Sequence, residues 1–273
     1  MNIFFVLLFI FSLSNTVFCS GNRESGSKSV SEAFTGNVTS QLSMKEQYEA
    51  GHWNVTPSGG TLTVIGVSNP MIKRQDEIAA AKEDAARKTA MYFWIQGKIE
   101  TVNNTGSGFL DYLYDSNVQL SYDTELEKYK SQLTFDPQND VLITREGIFV
   151  RFQYPAAVTE IKYKANIVNG QPSWIKNSGK PEFEGLITAV GFSKNQRRLK
   201  DTIYKSTEDA AIRMIESLST MVNTKEVSVT GQGSSSFIHT ISEGILFEFQ
   251  VIEFWIEPKT RYVYTLAVAR AGG

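Results

Sequence analysis

The side chains able to carry chemistry in this chain are few and scattered. His52, His239 and Cys19 are the only imidazoles and the only thiol among 273 residues. A structural His/Cys zinc site takes four such ligands. Neither a His-Glu-x-x-His helix, nor a phosphate-cradling Gly-x-x-x-x-Gly-Lys-Ser/Thr loop, nor a Gly-x-Ser-x-Gly elbow occurs. Ser25-Gly26-Ser27-Lys28 has the spacing of a Ser-x-x-Lys pair. It lies in a polar stretch with no fold to hold nucleophile and base together, so it carries no catalytic expectation. Glu83-Asp84 and Glu208-Asp209 occupy adjacent helix positions and point apart, whereas paired-carboxylate chemistry needs convergence across a cleft. They read as solvated helix faces. No catalytic, cofactor-binding or metal-ligating residue is assigned, and both histidines read as ordinary core or surface residues.

Binding is better served than catalysis. Lys194, Arg197, Arg198 and Lys200, with Lys205 beyond them, cluster ahead of a helix, and Lys73, Arg74 and Lys82 run roughly in parallel earlier in the chain. Lys194, Arg197, Arg198 and Lys200 form the candidate contact surface, suited to phosphate headgroups or anionic glycans. The alternative is a solvated loop balanced by nearby acids. Thr105–Gly108 and Thr230–Gly233 repeat a Thr-Gly-x-Gly motif whose backbone amides could cradle an anion. The plainer reading is a turn that needs positive φ. Phe109, Tyr112, Tyr114, Tyr122 and Tyr129 crowd one segment, which could be a recognition loop or a cover for a sheet.

Composition narrows the classes. Lys and Arg total 27 against 29 Asp and Glu, a net charge of −2. Nucleic-acid binding is driven by phosphate neutralisation and carries a basic surplus, so no nucleic-acid partner is expected. An apolar fraction of 41% with 12% aromatics is enough for a packed core. Ile3 to Leu13 is apolar but for Ser12, and the first charged side chain is Arg23. That run is shorter than the roughly 20 residues of a membrane span and fits the hydrophobic region of a secretory signal. Cys19 follows it. It is either the diacylglycerol-bearing first residue of a lipoprotein or close to an ordinary signal-peptidase cut that leaves no cysteine. A lipobox has Leu three residues before the cysteine and a small residue directly before it, where this chain has Thr16 and Phe18. Ser20 to Ser29 reads as the flexible tether that commonly follows a lipid anchor.

The elements that must position the basic cluster come from an internal duplication. Shifted by 125 residues, Leu62–Gly108 overlies Ile187–Gly233 with 13 identities in 47 positions, where composition alone gives roughly three. The identities fall in blocks: Gly66/Gly191 with Ser68/Ser193, then Glu83-Asp84-Ala85-Ala86 over Glu208-Asp209-Ala210-Ala211. Downstream, Glu146–Gln153 resembles Glu243–Gln250 at an offset of 97, implying 28 extra residues in copy one. Each copy reads as a short buried strand (Leu62–Val67, Leu186–Phe192), then a helix, then further strands. Ile78, Ala85, Thr89 and Phe93 stripe the first helix, and Ile203, Ala210, Met214, Leu218 and Met221 the second. Small Ala85 and Ala210 would let each helix lie close on a sheet. The expected fold class is α+β, with one long helix packed on an antiparallel sheet in each copy. Its parts are a signal peptide at 1–18, a tether at 19–44, a first repeat at 45–165 with an insertion at 109–140, and a second repeat at 166–273.

Trp53, Pro57, Gly66, Ser68, Ala85 and Ala86 in copy one, with Trp174, Gly191, Ser193, Ala210, Ala211, Trp255, Tyr262, Tyr264 and Leu266 in copy two, make a pattern that resembles a known bacterial family. It is similar to the small outer-membrane lipoproteins called Lpp-twenty, present here as two copies, and more distantly to the N-terminal domain of the flagellar T-ring assembly protein. The resemblance implies tandem dodecin-like β-α-β-β modules, export and residence in the outer membrane or periplasm. It brings no catalytic residues.

The expected function is a non-enzymatic envelope lipoprotein that binds an envelope protein or surface ligand, held at the membrane through Cys19. A freely secreted adhesin or effector of the same fold is the first alternative, and an enzyme with anion-binding glycine turns the second. On the lipoprotein expectation, the mature protein from its native cells begins at Cys19 and carries two or three acyl chains. Intact mass with the N-terminal peptide identified reads this, and an unmodified chain starting at or after Ser20 marks the secreted alternative.

Overall fold

Each repeat is organised by a strand that its helix touches at backbone distance. In the computed structural model, which describes residues 43–56, 60–106, 115–176, 179–222 and 235–272, strand β2 (Leu62–Ser68) leads to helix α2 (Arg74–Phe93). In copy two, strand β9 (Ile187–Ser193) leads to helix α4 (Leu199–Val222). A Cβ on Gly66 would overlap the carbonyl oxygen of Ala81, and one on Gly191 would overlap that of Ser206 and the backbone nitrogen of Ala210. Only glycine lets the helices sit this close. Ala85, Ala86, Ala210 and Ala211 complete the contact and are fully buried.

In the two Glu-Asp pairs, expected as solvated faces, the aspartates turn instead to the neighbouring strand, while the Glu83 side chain stays partly exposed. Asp84 is buried, and its Oδ2 accepts the Val67 amide at 2.9 Å and the Lys88 ammonium at 2.7 Å. Lys88 also donates to the Ile65 carbonyl. Asp209 accepts the Phe192 amide at 2.7 Å and Arg213 Nε at 2.7 Å. The helix side chains thus hydrogen-bond backbone groups of β2 and β9 that face away from the paired neighbour. Such capping blocks further strand addition at a sheet edge.

The remaining elements, in chain order, are α1 (Met44–Ala50), β1 (His52–Asn54), β3 (Ile95–Gly106), β4 (Asp115–Ser121), α3 (Leu126–Lys130), β5 (Val141–Thr144), β6 (Gly147–Tyr154), β7 (Ile167–Val168), β8 (Gln171–Pro172), β10 (Ser235–Ile256) and β11 (Val263–Ala271). The chain is α+β, with helices and antiparallel sheets. One sheet runs β2-β6-β5, and a larger one runs β4-β3-β10-β11-β9 with β1 also paired to β10. The larger sheet mixes the copies, because β3 of copy one pairs with β10 of copy two from Ser235↔Gly106 to Leu246↔Ile95. The described residues form one compact unit.

Strand pairing corrects the downstream half of the repeat. Val150 of β6 lies opposite Gly66, and Thr265 of β11 lies opposite Gly191. Strand β6 therefore corresponds to β11, 115 positions away, and copy one is longer by 10 residues rather than 28. The Glu-Gly-Ile match at offset 97 sets the start of β6 against the middle of β10, where Gly244 faces Gly97. In the segment expected as an insertion, β4 extends the large sheet, and Tyr129 of α3 is buried in a cluster with Ala86, Leu133, Phe152 and Tyr154, its hydroxyl donating to Asp123.

The core lies between the layers. Helix α4 covers one face of the large sheet through Met214 and Ile215 against Leu246, Ala267 and Ala269. The connecting segment around Ile161 and Trp174 covers Leu266 and Val268 on the other. A third cluster joins the copies, with Trp53 stacked on Phe149 at 4.6 Å and on Phe254 at 5.4 Å.

Replacing Gly66 or Gly191 by alanine forces the helix off its strand. Each is expected to lower unfolding free energy by about 2–3 kcal/mol, the upper range of overpacking penalties. Urea titration followed by circular dichroism measures it, with an unchanged midpoint as the contrary result.

Candidate functional site

The basic cluster of copy two stands on the loop that joins β9 to α4, and the corresponding loop of copy one joins β2 to α2. These two loops, Asn69–Lys73 and Lys194–Arg198, come together on one cleft of about 920 Å³. Between them lies the turn that opens β6, bringing Arg145 and Glu146, and the turn that opens β11, bringing Arg261. By the 115-residue correspondence, Glu146 and Arg261 are equivalent positions, and they form an ion pair with each other. The cleft therefore sits where the two repeats meet.

Its lining holds four arginines (Arg145, Arg197, Arg198, Arg261) against one glutamate, a formal charge of +3 in a chain whose total is −2. Among the described residues, Arg261 alone of the four has a carboxylate partner. Glu146 is held twice, by Arg261 and by the Tyr48 hydroxyl, which donates to its Oε2 at 2.8 Å. Burial, and then the hydrogen bond and charge of Glu146, raise the Tyr48 phenol above its ordinary value. Among the described residues, Arg145, Arg197 and Arg198 make no ion pair. Guanidinium groups gathered without counter-charge concentrate positive potential, and their planar forks match carboxylate and phosphate oxygens. The lining contains no serine, threonine, cysteine, histidine, tyrosine or lysine, and its one carboxylate is Glu146.

The local fold explains the loop geometry. Glu77, buried in the first turn of α2, accepts the Met71 amide at 2.8 Å. At the matching place in copy two, Thr202 Oγ1 accepts the Gln196 amide at 3.0 Å. Both loops are thus tied back onto the helices they precede, leaving their tips outward.

Of the candidate contact residues, Arg197 and Arg198 line the cleft. Lys194 is exposed and Lys200 half-buried, and neither reaches the lining. Arg145 and Arg261 are additions that sequence reading missed. Their signal lay in the turn before the last strand of each copy, and the offset-97 match concealed it. His52 is buried, while the His239 side chain, Cys19 and most of the Thr-Gly-x-Gly residues lie outside what the structure describes; Thr105 and Gly106 end β3. Phe109, Tyr112 and Tyr114 also lie outside it, and Tyr122 is half-buried beside Tyr204 at 3.3 Å.

A second polar cluster is enclosed. Glu253 of β10, 1% exposed, receives His52 Nδ1 at 2.8 Å, Trp174 Nε1 at 2.9 Å and the Tyr163 hydroxyl. Burial, and then the charge of Glu253, push the Tyr163 phenol far above its ordinary range. Three groups, one from β1 and two from the connecting segment, converge on one carboxyl group, so its role is to fasten β1 and the connecting segment to β10. An internal void beside Val64, Met91 and Phe249 is only about 30 Å³, little more than water-sized. Among the described residues, no group of His, Cys, Asp and Glu could hold a metal ion, and no helix is long and apolar enough to cross a membrane.

Comparison with known protein families, characterised proteins and solved structures gives no match to this chain.

Replacing Glu253 by leucine strips three buried donors of their acceptor. The expected loss is about 3–5 kcal/mol of stability. Glu253→Gln, which keeps the shape and one acceptor oxygen, should lose less. Urea unfolding of both variants reads the difference, and equal losses would reduce the cluster to packing.

Proposed function

We propose that this protein is a non-enzymatic binding module of the cell envelope that holds an anionic group of its partner in the arginine cleft between its repeats. The single observation that carries this reading is the cleft itself: three guanidinium groups that make no ion pair among the described residues, gathered from both copies, around a carboxylate that is already held. Catalysis by such a lining would need a nucleophile or a free acid–base group, and its one carboxylate is engaged by Arg261 and Tyr48. In finer detail, we read each copy as a dodecin-like β-α-β-β module like those of the Lpp-twenty lipoproteins, with the third strand of copy one given to the sheet of copy two. The apolar run at Ile3–Leu13, Cys19 and the polar tether support export and a lipid anchor in the outer membrane or periplasm. Thr16 and Phe18 depart from a lipobox and favour a second reading, a freely secreted adhesin or effector using the same cleft.

Inorganic pyrophosphate is a suitable probe, since it presents paired phosphate oxygens without any further recognition feature. Calorimetry at low ionic strength should detect binding that weakens about ten-fold or more in the Arg145→Ala/Arg197→Ala double variant and that falls with added salt. Neither arginine makes an ion pair among the described residues, so the variant should keep its fold. Binding that is absent in the unsubstituted protein, or unchanged in the variant, removes the anion-binding reading.

A further inference from the structure

The two loops that rim the cleft occupy equivalent positions of the duplication, 125 residues apart; Lys73 and Arg198 are basic in both, but the tips before them differ in chemistry. Copy two presents Gln196-Arg197-Arg198 where copy one presents Met71-Ile72-Lys73. Ile72, the counterpart of Arg197, is exposed to 104% of its reference area, and Met71 beside it to 44%. Pro70 precedes them, also exposed. A lone apolar residue on a protein surface is ordinary. Here two large ones stand together at a loop tip, with the backbone behind them fastened by the bond from the Met71 amide to Glu77. Met71 lines the cleft together with Arg145, Arg197 and Arg198, which make no ion pair among the described residues, and Ile72 follows it at the same loop tip.

We infer that this end of the molecule docks on an anionic bilayer, Arg197, Arg198 and Arg145 taking lipid phosphates while Met71 and Ile72 enter the acyl boundary. This rests on the anion-binding reading of the cleft and names its partner. A small soluble anion would satisfy the arginines and leave the apolar tip in water. A bilayer surface supplies both chemistries at the right separation, a negatively charged headgroup layer directly over hydrocarbon that side chains reach within roughly 5–10 Å. The −2 charge of the whole chain gives no general attraction to such a surface, so the local charge of the cleft sets which face approaches it.

The test uses the full chain carrying Cys19→Ser, so that no acyl chain contributes and any pull from the N-terminal apolar run is common to all variants. Sedimentation with vesicles of 30% phosphatidylglycerol in phosphatidylcholine is compared with pure phosphatidylcholine. The expected result is at least about ten-fold stronger binding to the anionic vesicles. Arg197→Glu should lose that preference. Ile72→Ser, which removes the apolar side chain without adding charge, should weaken anionic-vesicle binding by about ten-fold or more while leaving pyrophosphate binding unchanged. Should Ile72→Ser and Met71→Ser bind anionic vesicles as tightly as the unsubstituted protein, or should vesicle binding ignore lipid charge, the docking proposal falls while the cleft remains an anion site. Loss of pyrophosphate and vesicle binding alike in the unsubstituted protein removes both readings together.

Discussion

The backbone pairing of β3 with β10 is the interaction on which the rest depends. A duplicated module could close each copy on itself and leave two domains on a linker. Here twelve residues of copy one, Ile95 to Gly106, are spent on a strand of copy two. The outward backbone groups of β2 and β9 are capped by Asp84, Lys88 and Asp209. Once β3 lies in the large sheet, Ile95 and Ile99 enter the core beneath α4, and Met91 at the end of α2 follows them. The copies then share apolar surface as well as hydrogen bonds, and removing either would expose the other's interior.

That fusion also creates the cleft. Because both first-strand-to-helix loops and both last-strand turns emerge where the copies meet, two pairs of equivalent corners face one another. At the strand turns the outcome is complementary, Glu146 against Arg261. At the helix loops it is asymmetric, basic on one side and apolar on the other. A duplication brings identical corners together at first, and divergence of only a few exposed loop residues is enough to give the shared face a chemistry that neither copy would have alone. Loop positions tolerate such change because they carry little of the packing.

The upstream half of each repeat was legible because its identities are forced by contact. Gly66 and Gly191 cannot be anything else under their helices, Ala85 and Ala210 must be small, and Asp84 and Asp209 recur because a strand amide waits for each. The stripe of Ile203, Ala210 and Met214 marked the buried face of α4 correctly. The acid pair was misread, because its reach to a strand amide seventeen residues away is a tertiary fact that helix periodicity does not encode. The downstream half failed for a related reason. Strands β6 and β11 are specified only by alternation and burial, which many sequences meet, so a chance run of Glu-Gly-Ile outscored the true correspondence. Arg145 and Arg261 were lost with it. Glu253 was invisible for another reason: its three donors lie in segments 79 to 201 residues distant.

The Glu253 cluster also bears on the order in which the chain can fold. His52 meets its carboxyl partner across 201 residues, and β1 pairs with the part of β10 that holds Glu253. A chain emerging N-terminus first, from a ribosome or through a translocation pore, carries β1 without a mate until almost everything else has followed. Contacts of such span are slow to form, so the unit cannot seal early. The molecule stays threadable for most of its emergence and locks only when its last two strands arrive.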